Sequence, residues 1–146
     1  MNFAKAALCL LLPLLVTAAG SGEVRGQQSV RPTTQYRTVP RDTETMVAAP
    51  VFVRQRQVGY CTAADIPALD LVTPPKHGTV RFVITEVGAP KRLGCSNPVY
   101  GRGVLYRPEP GFVGEDQFTY YRPPEPMAFN SVGPPPGPRT VIVTVR

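Results

Sequence analysis

The 146-residue chain contains one histidine, three cysteines and no tryptophan, and only 18% of its residues are charged. These shortages exclude much chemistry. A Ser-His-acid set would have to use His77, which lies inside the turn-forming run Pro74-Pro75-Lys76-His77-Gly78, and Ser29, Ser96 and Ser131 stand in no nucleophile-elbow context. Zinc needs several N or S ligands, and His77 is the one imidazole on offer. There is no Cys-x-x-Cys for thiol redox work. Gly101-Arg102-Gly103 lacks the third glycine and following helix that cradle a phosphate. Asp65 with Asp70, and Glu109 with Asp116, are conceivable acid pairs for glycoside cleavage, but they fall at turns and read as solvated. The sequence predicts no enzyme, no metal site and no cofactor.

A long apolar run is also missing. Leu8 to Val16 follows Lys5 and precedes the small residues Ala18, Ala19 and Gly20, which is the pattern of a secretory signal over residues 1–22. At roughly a dozen residues it falls short of the ~20 that span a bilayer. No second apolar stretch exists, so no transmembrane segment is expected after cleavage. The sequence thus predicts a periplasmic or secreted protein. Its charge is +6, and 13 of the 16 basic residues are Arg, scattered from Arg25 to Arg146. Nucleic-acid binding asks for cations gathered on one face with aromatic platforms, so no nucleic-acid partner is expected. Cleavage would leave Cys61 and Cys95, and an even pair in an exported chain reads as a disulfide.

What the chain does have is 18 Pro and 13 Gly, a composition for short strands between rigid turns rather than for helices. Residues 23–49 are rich in Gln, Thr, Arg and Pro without a period, and read as a flexible leader. From Pro50 the period is two. Strands are expected at 51–56, 66–72, 79–84, 103–107, 117–121 and 139–145. Val80, Phe82 and Ile84 should share one face, as should Phe118 with Tyr120, and Val141 with Val143 and Val145. Pro-rich turns at 74–78 and 108–111 separate them, and Asp116 should bond its local backbone at the start of a strand. Such a pattern predicts an all-β antiparallel sandwich over residues 50–146.

Two stretches carry a resemblance. Pro75-Lys76-His77-Gly78-Thr79-Val80, followed by Tyr106-Arg107-Pro108-Glu109-Pro110-Gly111-Phe112-Val113-Gly114-Glu115-Asp116-Gln117-Phe118-Thr119-Tyr120, resembles the bacterial cadherin-like and Ig-like repeat modules of secreted and surface proteins. The closing strand from Thr140 to Val145 fits as well, and the likeness covers Ala48 to Arg146. It implies an Ig/cadherin-like Greek-key sandwich without a catalytic centre, used for adhesive, spacer or protein-binding work. The chain departs from the pattern in having one copy, a cysteine pair, and Val47-Ala48-Ala49-Pro50-Val51 where relatives carry acidic, calcium-supporting residues. Calcium is therefore not expected.

Arg122 to Pro138 forms a proline-rich insertion between the last two expected strands, longer than ordinary hairpin loops. Met127, Phe129 and Asn130 lie in its middle and Tyr121 and Arg122 at its root, and these five are the expected binding residues. The alternative is that the loop's apolar residues cover an open sheet edge. The expected function is non-catalytic binding of a protein partner, or adhesion, at the bacterial cell envelope. Carbohydrate recognition by Tyr36, Tyr60, Tyr100 and Tyr121 is a second reading. An inhibitor acting through the proline-braced loop, or a purely structural envelope protein, are the others.

Overall fold

The computed structural model describes residues 33–57, 59–124 and 136–146. Among these the chain is all-β. The strands are β1 (Thr33–Val39), β2 (Thr45–Ala48), β3 (Val53–Gln57), β4 (Tyr60–Ala63), β5 (Asp70–Thr73), β6 (Gly78–Val87), β7 (Val99–Pro108), β8 (Gly114–Arg122) and β9 (Gly137–Val145), with one 3-10 turn at Lys91–Leu93. They build a four-stranded sheet in the order β1-β9-β8-β5, a three-stranded sheet in the order β2-β7-β6, and the β3-β4 pair. The expected signal sequence, residues 1–22, lies outside the described residues.

Each of the six period-two segments contains or overlaps a strand; in β7, β8 and β9 alternation buries one side of the pleated ribbon, whereas β5 is exposed at every residue. Phe118 and Tyr120 of β8 and Val141, Val143 and Val145 of β9 enter one buried cluster. Val39, Val47, Leu69, Val104 and Tyr106 complete it, with Val80 and Phe82 packed against it. Both larger sheets therefore contribute to the same core. At about 25 cal/mol per Å² of buried apolar surface, this cluster is the main source of stability.

The β6–β7 hairpin uses its two faces at opposite ends. Its pairing runs unbroken from Gly78↔Pro108 to Val87↔Val99. Toward its open end Val80, Phe82, Val104 and Tyr106 face the large core, whereas at the connecting end Val87 and Val99 enter a second cluster with Val53, Cys61 and Cys95. Successive residues point to opposite faces, so a face exchange without a bulge means that the hairpin outruns one core and is covered on its back by another. Ile84 accordingly is exposed, although it shares its face with Val80 and Phe82. The second cluster is stapled by the Cys61–Cys95 disulfide, whose Cα atoms are 5.5 Å apart. Asn97 reinforces the staple by bonding both the N–H and the carbonyl of Cys61 at 2.8 Å.

Three expectations need correction. The leader expected over residues 23–49 is not one from Thr33 onward, since β1 and β2 occupy it. Its fold comes from partners elsewhere in the chain: β1 pairs with β9 and β2 with β7. The β1–β9 pairing is parallel, so the sheet is mixed rather than antiparallel throughout. Finally, Arg122, Gly137 and Pro138 are strand residues paired as Arg122↔Gly137 and Tyr121↔Pro138, which narrows the insertion to the residues between β8 and β9.

Candidate functional site

The inner face of the four-stranded sheet changes character along its length. On β9 it reads Arg139, Val141, Val143, Val145; on β8 it reads Asp116, Phe118, Tyr120, Arg122; on β1 it ends Gln35, Arg37, Val39. Strand alternation thus carries Arg122 and Arg139 onto the side that buries the core, with the exposed Arg37 beside them on β1. Arg122 and Arg139 are each only 4% exposed. Facing them, the chain leaving β2 supplies Ala48, Ala49, Pro50 and Val51, and the 3-10 turn supplies Arg92. Together these residues and Tyr120 line an open cavity of about 280 Å³.

The arginines are held by the surrounding fold. Arg37 donates from Nε to the Val47 carbonyl at 2.7 Å and from Nη1 to the Tyr36 carbonyl at 2.8 Å. The Arg122 guanidinium lies 4.5 Å from the Phe52 ring centroid, a cation–π contact. Arg139 donates from Nη1 to Thr33 Oγ1. Arg92 is placed by the turn that ends at Gly94, whose left-handed φ of 73° returns its N–H to the Lys91 carbonyl at 3.0 Å, one residue before the disulfide. Burial raises the pKa of the Tyr120 hydroxyl, and the positive charges of Arg139, Arg122 and Arg37 oppose that rise. Arg37, Arg92, Arg122 and Arg139 are all among the residues that line the cavity.

The passage of Pro50 and Val51 along the cavity wall depends on β7. Arg102 N–H donates to the Pro50 carbonyl at 3.0 Å. A Cβ at Gly101 would sit 2.5 Å from Val51 Cγ1 and 2.9 Å from that same carbonyl oxygen, so only glycine admits the crossing. The Gly-Arg-Gly sequence is a close-approach device in a strand.

At the other end of the core, Asp116 anchors two turns. Its carboxylate accepts from the N–H groups of Lys76 (3.0 Å), His77 (2.9 Å) and Gln117 (2.8 Å) and from the Tyr106 hydroxyl (2.9 Å). Burial alone would raise its pKa; the hydrogen bonds from Lys76, His77, Tyr106 and Gln117 outweigh burial and hold it below the usual carboxylate value. Burial first, then the bond to Asp116 and the charges of Asp116 and Glu109, push the Tyr106 phenol well up. His77 stacks on Phe112 with ring centroids 4.4 Å apart, joining the two turns. Asp116 was expected to bond locally; two of its partners lie about forty residues earlier. The arrangement is structural, since every acceptor position is filled from within the fold.

Of the expected binding residues, Met127, Phe129 and Asn130 lie outside the described residues. Tyr121 is exposed at the end of β8, whereas Arg122 points inward to Phe52 and lines the cavity instead of the surface. The four tyrosines considered for carbohydrate stacking do not gather. Tyr36 and Tyr121 share the outer face of the four-stranded sheet, but Tyr60 stands on β4 and Tyr100 on β7. Arg37, Arg92 and Arg139 went unnoticed in the sequence. The available signal was an arginine at the inward position of a period-two strand, as in Arg139-x-Val141-x-Val143 and Phe118-x-Tyr120-x-Arg122.

No protein-family model, curated protein or solved structure matches the chain.

Proposed function

We propose that the protein is an exported, non-catalytic binding module that engages a protein partner at the bacterial cell envelope. In this reading the two larger sheets form an Ig/cadherin-like Greek-key sandwich, supported by the larger core cluster, to which both contribute. The observation that carries the reading is the pinning of the proline-rich insertion. It leaves β8 at Arg122 and rejoins β9 at Gly137, two residues paired in one ladder beside the arginine-lined cavity and the exposed Tyr121. A rigid sheet that presents a long loop from a fixed root is the arrangement by which sandwich domains bind. The disulfide is compatible with an oxidising compartment, as export requires.

The test is a crosslinking pull-down from the native envelope, with the intact chain and a variant in which a short glycine linker replaces Pro123 to Pro136. A specific protein recovered by the first and lost with the second supports the reading. Equal recovery by both places the contact elsewhere on the domain, and recovery by neither rejects protein adhesion.

A further inference from the structure

We propose that β6 pairs edge to edge, antiparallel, with β6 of a second copy of this chain, joining two three-stranded sheets into one six-stranded sheet across a two-fold axis. This goes beyond the binding-module reading and does not rest on it. Among the described residues β6 is an outer strand, with β7 on one side and no strand on the other. Antiparallel partners alternate between pairs that exchange hydrogen bonds and pairs that do not. The Glu109 N–H donates to the His77 carbonyl at 2.9 Å, one step past Gly78↔Pro108, where Pro108 has no N–H to give. Thr79, Arg81, Val83 and Thr85 therefore bond β7, whereas Val80, Phe82 and Ile84 turn their N–H and carbonyl groups to the outer edge. Arg102, opposite Ile84, accordingly sends its own N–H away from β6, to the Pro50 carbonyl.

Edge strands are usually shortened, bulged or armed with lysine and proline, because open ladder groups recruit other strands. β2 and β5 have four residues each and a register shift, and Arg37 ties β1 to the Val47 carbonyl of β2. β6 has ten residues, an unbroken ladder, and neither lysine nor proline. The charge of Arg81 is matched within the chain by Glu44, whose carboxylate oxygens accept from Nε and Nη2 at 2.6 Å. The strand is also self-complementary. A two-fold axis at Phe82 sets Val80 against Ile84 of the second copy, Phe82 against Phe82, and Arg81 against Val83, so no like charges lie directly opposite. In that register the outward groups of Val80, Phe82 and Ile84 face one another and can exchange both hydrogen bonds of each pair. Ile84 is 57% exposed although it shares the face of Val80 and Phe82, and the second copy gives it an apolar neighbour. An isologous contact closes on itself, so one dimer occupies both β6 edges and builds no filament.

Sedimentation equilibrium of the intact chain over a concentration series, with hydrogen exchange read amide by amide, tests this. The expected result is a monomer–dimer equilibrium in which exchange at Val80, Phe82 and Ile84 slows as concentration rises. Thr79, Arg81 and Val83, already bonded to β7, should change little. Ile84→Lys, at an exposed position, should weaken the dimer by about tenfold or more and leave the thermal midpoint of the monomer in place. Ile84→Pro removes an N–H that β7 does not use and should abolish the dimer. Tyr36→Lys, on β1 of the other sheet, should leave it unchanged. A monomer at every concentration overturns the proposal. So does a dimer that survives both Ile84 variants, or one in which Val80, Phe82 and Ile84 exchange no more slowly. A chain that dimerises only when a glycine linker replaces Pro123 to Pro136 gives the edge to the insertion and overturns it too.

Discussion

Replacing Asp116 by alanine removes one acceptor group from four donors. Two of these, the N–H groups of Lys76 and His77, belong to a turn about forty residues away and have no other acceptor in the ladder. Tyr106 retains a 3.3 Å bond to the His77 carbonyl, and Gln117 is a sequence neighbour, so they lose less. Hydrogen bonds to a charged group contribute about 1.5–3 kcal/mol each. The 74–78 turn lies at the surface, where water partly compensates, so a total cost of about 3 kcal/mol is expected. For a domain of this size that corresponds to a fall in thermal midpoint of about 12 °C. Asp116→Asn, which keeps one carbonyl acceptor, should cost about two-thirds as much. Glu115→Ala, at the exposed neighbour, should stay within about 0.5 kcal/mol.

The pH dependence follows with a definite sign. Because the folded-state pKa of Asp116 lies below its ordinary value, its contribution is fully present above the unfolded-state value of about 4 and is lost as pH falls toward the folded one. Urea unfolding at stepped pH should show the gap between parent and Asp116→Ala narrowing only below about pH 4. A cost under about 1 kcal/mol, or a gap that stays constant down to pH 2, would refute the reasoning.

Removing the disulfide as Cys61→Ala with Cys95→Ala should lower stability by about 4 kcal/mol in urea unfolding, from the chain entropy of a loop with sequence separation 34. Unchanged unfolding under reductant would contradict that. Gly101→Ala should cost about 2 kcal/mol, since its Cβ meets a backbone oxygen, whereas Gly88→Ala, with nothing within 4 Å, should be neutral. In an ultraviolet pH titration Tyr106 should stay protonated above the ordinary phenol value of about 10, and Asp116→Ala should bring its transition down.

The all-β class and most of the six expected strands were legible because period-two burial leaves its mark whenever one face is apolar, although β5 is exposed along its whole length and owes its pairing to β8. β1 left none. Of its residues only Val39 is buried, and what makes it a strand is the ladder with β9, more than a hundred residues away. β2 and β4 have four residues each, too few for a period to declare itself. In β6 the expected shared face of Val80, Phe82 and Ile84 is present, but alternation tells only which residues share a face, while how much of it is covered depends on what packs there. The disulfide was readable from compartment and parity alone.

The cavity was hidden by the same logic. Arginine in a strand reads as solvent-facing, yet on β8 and β9 the alternation that buries Phe118 and Val141 also carries Arg122 and Arg139 inward. Arg92 joins them only through the turn before Cys95, a placement that no local pattern encodes. Tyr121 and Arg122 were recognised as the root of the insertion, and they are adjacent at the end of β8. Their side chains nonetheless separate, one outward and one to the cavity, as neighbours on a strand must.

The most direct test of the central claim is site-specific photocrosslinking in the native envelope, with a photoreactive phenylalanine analogue at Tyr121, at Tyr60 or at Tyr100. All three side chains are exposed, so labelling at any of them is tolerated by the fold. The account predicts a discrete protein adduct from position 121, at the root of the insertion, and none of that mass from positions 60 and 100. The same adduct from all three positions, or from 60 or 100 without 121, would contradict it.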